Sequence, residues 1–296
     1  MGQRPLYLTS GPTTSSLRRM DQPGLPPLLP GAEPPQVVIS RWRWWVHLMI
    51  LAAYPIVLGI AGALMSSDQS PMLPSDPLQL MSGISAEIFI FTVVFIFAWI
   101  ASRASAENLR LPWNSGIKPI TRGFIYAIGL QLAVMLLGVI LKALVAAVSG
   151  GQTATVDKMQ PEYEKLVDPH ALVTKPIYLW LNITLVSFGM GGLREELWRS
   201  GMLAGFAGIA PKLCRSQSGQ VLAICLTALA FGLGHIAQGW GGVVLTALLG
   251  VALGLIMMWH RTIWTAVFAH GFFDAVSFFL LFLAAKYFPE QLHKMG

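Results

Sequence analysis

From Gly219 to His260 the chain contains no Asp, Glu, Lys or Arg. One helix needs roughly 20 apolar residues to cross a bilayer, and Gln238–Gly242 interrupts this longer stretch, so it predicts two membrane-spanning helices. Over the whole chain, charged residues make up 11% and hydrophobic residues 54%. A soluble domain carries about 25% charged residues. The composition therefore excludes an ordinary soluble enzyme, a disordered protein and a nucleic-acid-binding protein, and it predicts a polytopic membrane protein in contact with the lipid bilayer.

The other apolar segments predict an all-α, polytopic transmembrane bundle of about eight helices. They lie at about 44–65, 80–101, 121–148, 176–192, 194–210 and 263–285. Residues 1–40 hold eight of the 19 prolines and no apolar run long enough to span, so they predict a disordered Pro-rich tail. We divide the chain into this tail, N-terminal transmembrane helices with a loop at 41–175, and a core at 176–296.

The basic residues predict an orientation. Arg41 and Arg43 precede the first helix, the loop after that helix has no Lys or Arg, and the next loop has four basic residues. Because cytoplasmic loops carry an excess of Lys and Arg, the N-terminal end is predicted to be cytoplasmic and the loop at 149–175 external.

The segment 194–210 leaves two helix counts open. As an extension of the preceding helix it gives seven helices and puts Glu195 and His235 at opposite membrane faces. As a separate pass it gives eight helices and brings these two residues to similar depth. We expect eight, because a polar group stranded in lipid costs several kcal/mol.

Ionisable side chains within the predicted helices are candidates for a functional site. They are Glu87, Glu195, Glu196, Arg199, His235, His270 and Asp274. The four-residue spacing puts Glu195 and Arg199 on one helix face and predicts an ion pair, and His270 and Asp274 share a face in the same way. Phe231 lies one turn before His235. Taken alone, each pair fits a helix-packing hydrogen bond equally well. His47 and His260, near helix ends, are predicted to be interfacial anchors.

Three motifs occur in order on separate predicted helices: EELWRSGML at 195–203, FGLGH at 231–235 and HGFFD at 270–274. Together they resemble the signatures of the CPBP family, which comprises the type II CAAX prenyl proteases and bacteriocin-processing enzymes. The resemblance covers about 187–285. In a gapless match Arg199 stands one position before the family's arginine, and Asp274 takes the place of an Asn or Asp.

The resemblance implies an intramembrane endopeptidase acting on a membrane-associated protein or peptide, in a bacterial inner membrane. It implies that Glu195 is the general base, that His235 shares the attacking water, and that His270 and Asp274 line the oxyanion hole. Glu196 belongs to the same catalytic set, and Arg199 and Phe231 are supporting residues. The sequence does not distinguish a prenylated C-terminus from another membrane-anchored substrate.

We expect no metal cofactor, although two His and a Glu would suffice for three ligands of a catalytic zinc. Two other classes remain open. A non-catalytic relative of the same fold fits the displaced Arg199 and Asp274. A proton-coupled transporter would use Glu87, Glu195, His235 and Asp274 as a relay, but its usual repeated halves are not found.

Overall fold

The computed structural model describes residues 39–65, 71–149 and 163–289, and the predicted Pro-rich tail lies outside these ranges except for residues 39 and 40. The described residues form helices and connecting segments without strands, which confirms the predicted all-α class. The helices are α1 (Arg41–Met65), α2 (Pro77–Ser102), α3 (Lys118–Val148), α4 (Tyr163–Leu166), α5 (Pro169–Thr174), α6 (Pro176–Ile209), α7 (Pro211–Cys214), α8 (Gln217–Leu233), α9 (Gly239–His260) and α10 (Ile263–Tyr287).

Capping residues in the sequence fix where helices begin and end. The Asp76 carboxylate accepts from the backbone N–H groups of Leu78 and Gln79 at 3.1 and 2.9 Å, and Pro77 occupies the first turn of α2. Proline is tolerated there because that N–H has no helical partner. Thr262 caps α10 through its hydroxyl. Short polar segments therefore separate the long apolar helices, as the sequence predicts.

Within residues 39–65, 71–149 and 163–289, five helices have the length and composition needed to cross a membrane: α2, α3, α6, α10 and the segment Ile236–His260, which contains α9. Large apolar side chains cover their outer surfaces; Phe89 of α2 and Val139 of α3, for example, are 69% and 65% exposed. Such a surface is unfavourable in water and matches a hydrocarbon environment. The chain is an integral membrane protein.

The prediction that 194–210 forms a separate pass is wrong. Residues 176–209 form one continuous helix of 34 residues, so that seven helices of 17 residues or more occur in the described part of the chain. The seven-helix arrangement does not put Glu195 and His235 at opposite membrane faces, contrary to the expectation from the sequence. Glu195 lies well inside this long helix, and His235 lies in the turn between α8 and α9, so both reach the interior without an eighth pass.

The helices alternate in direction between two ends of the bundle. One end, called here the basic end, carries the start of α1 and the connections 103–117, 210–216 and 261–262. The Ile263 N–H donates to Arg110 O at 3.0 Å and joins two of these connections. At the opposite end the Leu73 N–H donates to Leu166 O at 3.0 Å. This arrangement agrees with the helix directions expected for the first three passes.

The middle of α6 is a π-helix, Asn182–Glu195, which packs against α10. Glycine allows the backbones to approach closely. A Cβ at Gly192 would lie 2.8 Å from Val267 O, and a Cβ at Gly123 of α3 would lie 2.8 Å from the Ala269 N. Helix α10 is thus held between α3 and α6, which fixes the depth of the polar side chains on α6 and α10.

His47 is not an interfacial anchor, contrary to the prediction. Its side chain is 1% exposed and contacts two other helices: Nδ1 lies 2.8 Å from Ala98 O of α2, and Nε2 lies 3.0 Å from Gly201 O of α6. The ring therefore binds α1 to α2 and α6. His260 fits the prediction better, since it lies at the end of α9 beside the Tyr126 hydroxyl at 3.0 Å.

Candidate active site

Three elements supply the predicted site residues. Glu195 ends the π-helical part of α6, where the ordinary α-helix resumes at Glu196. Phe231 lies in the last turn of α8 and His235 just beyond it, while His270 and Asp274 lie one turn apart on α10. π-helical segments widen the helix and frequently occur at functional sites.

Glu196, Arg199 and His270 form a buried charged cluster. The Arg199 Nη1 forms an ion pair with Glu196 Oε1, and the two side chains are 1% and 0% exposed. The same carboxylate oxygen accepts from His270 Nδ1 at 2.9 Å. The predicted pairing of Arg199 with Glu195 is therefore wrong. Arg199 pairs instead with Glu196, three residues before it, and both side chains lie on the face of α6 that contacts α10.

Glu195 has a different cationic partner. The Arg194 Nη2 donates to Glu195 Oε1 at 2.6 Å, and its Nη1 pairs with Glu87 of α2. The other carboxylate oxygen, Oε2, lies 3.7 Å from His270 Nε2. One oxygen of Glu195 is thus held by Arg194, and the other faces the imidazole of α10.

Asp274 lies against the same face of His270. Its Oδ2 is 3.7 Å from His270 Nε2, and its side chain is 26% exposed. A Cβ at Gly191 would overlap this carboxylate and would lie 3.6 Å from His270 Nε2. The glycine of the π-helix therefore makes room for Asp274 beside α6.

His235 is oriented by its own helix end. Its Nδ1–H donates to Phe231 O at 2.8 Å, so the other ring nitrogen, Nε2, takes no part in this hydrogen bond. The rings of Phe231 and His235 pack edge to face with centroids 4.6 Å apart. The Arg199 guanidinium lies 4.7 Å from the centre of the Phe231 ring. Phe231 thus contacts both the buried ion pair and His235.

A cavity of about 650 Å³ joins these groups. Six candidate residues of the sequence analysis line it: Glu87, Glu195, Phe231, His235, His270 and Asp274. Glu196 and Arg199 do not line the cavity, because they are buried behind its wall. The polar groups from α6, the α8–α9 turn and α10 therefore converge on one space inside the bundle.

The described residues include no group of three His, Cys, Asp or Glu side chains arranged to hold a metal ion. Nδ1 of both His235 and His270 is occupied by a hydrogen bond, so each ring has one remaining nitrogen. A zinc-bound histidine uses only one ring nitrogen and commonly donates the other N–H to an oxygen, so the expectation that no metal takes part stays a prediction.

Two cavity residues escaped the sequence analysis. The first is Arg194, which pairs with both Glu87 and Glu195. Its position beside Glu195, and the need of the Glu87 carboxylate for a cationic partner, were the sequence signals for it. Tyr54 of α1 lines the cavity and is 9% exposed, and its hydroxyl has no hydrogen-bond partner among the described residues. No sequence spacing connects Tyr54 with α6 or α10, so only the packing of α1 reveals it.

Comparison with known families supports the motif-based resemblance. Residues 176–276 match the model of the family described as type II CAAX prenyl endopeptidase Rce1-like. This range contains all three motifs. No curated protein and no solved structure matched the chain. The segment 176–276, with the helices that carry Glu195, His235 and His270, is therefore similar to the Rce1-like group of CAAX-type membrane peptidases, which is consistent with the resemblance to the CPBP family.

Proposed function

We propose that the chain is an intramembrane endopeptidase that hydrolyses a peptide bond with a water activated by Glu195 and His235. The observation that carries this proposal is the cavity shared by Glu195, His235, His270 and Asp274. Such groups are costly inside a membrane protein and normally serve a pathway or a site. The family match supports a peptidase at the level of the family.

Glu195 acts as the general base through Oε2, because Oε1 is bound by Arg194. It removes a proton from water while the hydroxide adds to the substrate carbonyl carbon. Since His235 Nδ1–H donates to Phe231 O, Nε2 is the nitrogen that accepts a hydrogen bond from the same water. Glu195 then returns the proton to the leaving amine. Positioned proton transfer of this kind contributes about 10²–10⁴-fold to a rate.

His270 stabilises the oxyanion that forms on the carbonyl. Its Nδ1–H donates to Glu196, so Nε2 donates to an oxyanion only while the ring carries both protons. The carboxylates of Glu195, Glu196 and Asp274 surround the ring and balance this charge. A donor held in place before the reaction stabilises developing negative charge strongly.

Glu196, Arg199 and Phe231 act as positioning residues. Glu196 fixes the His270 ring, and Arg199 neutralises Glu196. Phe231 packs between Arg199 and His235. The pairing of Arg199 with Glu196 supports an intact site, because it removes the main sequence argument for a non-catalytic relative, the displaced arginine.

The proposed mechanism uses no metal, because Glu195 and His235 together activate the water. The substrate is a membrane-associated or prenylated protein or peptide, and the proposed location is a bacterial inner membrane. The apolar residues of the cavity, among them Met190, Phe273 and Phe278, suit an apolar substrate segment.

The test compares purified parent protein with Glu195→Gln on a farnesylated CAAX peptide and on a single-pass membrane peptide. The variant should lose roughly 10²-fold or more in cleavage rate, since the amide cannot accept the proton. Glu107→Gln makes the same chemical change in an exposed loop and should cleave like the parent. Equal cleavage by the parent and Glu195→Gln, with both folded, would refute the role of Glu195.

A further inference from the structure

A second cavity, of about 520 Å³, lies at the basic end of the bundle and shares no lining residue with the cavity of Glu195. It lies between the starts of α1 and α8, the ends of α6 and α9, and the connections 103–117 and 261–262. Its polar and charged lining residues are Glu107, Asn108, Arg110, Gln220 and Arg261. The composition of this wall favours a polar ligand.

Arg110 carries a positive charge that no carboxylate of the described residues neutralises. Its Nη2 donates to the thioether sulfur of Met258 at 3.0 Å, and its Nη1 is buried without a hydrogen-bond partner among the described residues. A thioether is only a weak acceptor, and charged groups are normally buried only when they are paired. An anion in the cavity would supply the missing partner.

The other charged groups of the cavity do not supply this partner. Arg261 is exposed and, within the described part of the chain, forms no ion pair. The pKa of the Glu107 carboxyl is lowered by hydrogen bonds to its own backbone and to Ser105, and neither arginine contributes. Two arginines against one glutamate leave an excess of one positive charge around the cavity.

The backbone holds both arginines in fixed positions. Arg110 and Arg261 each have a φ of 54°, a left-handed conformation that is uncommon outside glycine. The Ile263 N–H donates to Arg110 O at 3.0 Å, and the Trp264 Nε1–H donates to Leu111 O at 2.7 Å, so the two connections are joined. Such conformations persist where the surrounding structure enforces them, and they cluster at ligand sites.

The cavity lies at the level where helices leave the bilayer. Helix α1 begins at Arg41, and α9 ends at His260. Near these ends, Trp42, Trp45 and Trp259 are 66%, 53% and 83% exposed. Exposed tryptophans at helix ends are typical of the membrane–water interface, where lipid headgroups lie. A lipid phosphate can therefore reach the cavity while its acyl chains stay beside the apolar helices.

We propose that this cavity binds the phosphate group of an anionic phospholipid between Arg110 and Arg261. Guanidinium groups suit phosphate because their N–H donors match its oxygens in geometry and charge. Asn108 adds further donors: its Oδ1 accepts from the Ser105 N–H at 3.0 Å, and its Nδ2–H groups remain available. The site is separate from the cavity of Glu195, so the proposal does not depend on peptidase activity.

Lipid titration of the purified full-length protein in neutral detergent tests the proposal. Native mass spectrometry compares short-chain phosphatidylglycerol with phosphatidylcholine of the same chain length, for the parent protein and for Arg110→Gln and Arg261→Gln. Arg215→Gln is the matched control, because Arg215 is an exposed arginine at the same end that does not line the cavity. Thermal unfolding with and without lipid confirms that each variant is folded and measures binding independently, as an increase in Tm.

The parent should bind phosphatidylglycerol in preference to phosphatidylcholine. Arg110→Gln and Arg261→Gln should each weaken phosphatidylglycerol binding roughly ten-fold, and Arg215→Gln less than about two-fold, because only the first two remove charge-assisted hydrogen bonds to the phosphate. Displacement of the lipid by millimolar inorganic phosphate would assign the same site to free phosphate. Equal weakening by all three variants, or no preference of the parent for phosphatidylglycerol, would overturn the proposal. If Arg110→Gln does not fold, the exposed Arg261 and Arg215 variants decide the question.

Discussion

Replacing Arg199 by Met should destabilise the protein far more than breaking the Glu87–Arg194 pair. The Arg199 and Glu196 side chains are 1% and 0% exposed. Methionine keeps much of the apolar stem but leaves the Glu196 charge without its cationic partner. In buried ion pairs, removal of one partner costs about 3–5 kcal/mol, because the remaining charge stays desolvated.

Glu87→Gln provides the matched comparison. The Glu87 and Arg194 side chains are 30% and 13% exposed, and Arg194 keeps Glu195 as a partner. Water reaches the Glu87 carboxylate and screens its charge, so this change should cost about 1 kcal/mol or less. The difference between the two variants thus isolates the effect of burial.

Thermal unfolding in detergent micelles measures both effects. With a Tm shift of about 2–4 °C per kcal/mol, Arg199→Met should lower Tm by roughly 6–20 °C and Glu87→Gln by a few degrees at most. The double variant Arg199→Met/Glu196→Gln should regain part of the loss, because it leaves no unpaired carboxylate. Equal shifts for the two single variants, or no recovery in the double variant, would refute the reasoning.

Three further predictions concern the cavity. Asp274→Asn should keep cleavage within about ten-fold of the parent, since its amide oxygen keeps a polar contact with the His270 ring, whereas Asp274→Leu removes that contact and should lose roughly 10²–10³-fold; similar losses in both would contradict a role for Asp274 beside the His270 ring that stabilises the oxyanion. Gly191→Val should lower cleavage about as much as Asp274→Leu, because its Cβ overlaps the Asp274 carboxylate and displaces it, and Gly83→Val, in open space, is the control; full activity of the Gly191 variant would show that Asp274 needs no room there. Treatment with a chelator should leave the cleavage rate unchanged, and a loss restored by zinc would contradict the metal-free mechanism.

Much of the architecture follows from simple features of the sequence. Charge-free stretches longer than a bilayer requires predict the helices. The structure adds the capping residues at their starts, such as Asp76 and Thr262. The four-residue spacing predicts that His270 and Asp274 face the same space, and the Oδ2–Nε2 distance of 3.7 Å agrees with this. These features depend on local periodicity, which a single sequence contains.

Other features depend on tertiary contacts and could not be predicted. Three- and four-residue spacings both allow an ion pair, so helix geometry alone did not decide between Glu196 and Glu195 as the partner of Arg199. The decision comes from α10, whose His270 contacts Glu196. Similarly, residues 176–209 form one continuous helix with a π-helical middle, and hydropathy does not distinguish such a helix from two shorter passes. The predicted division at 175/176 stays a prediction.

The most direct measurement of the central claim is an experimental density map of the protein in a membrane mimetic that shows ordered water. We predict a water molecule in the cavity within hydrogen-bond distance of both Glu195 Oε2 and His235 Nε2, with the His270 ring bound to Glu196. Side chains of Glu195 and His235 that face lipid, or that lie too far apart to contact one water, would contradict the account.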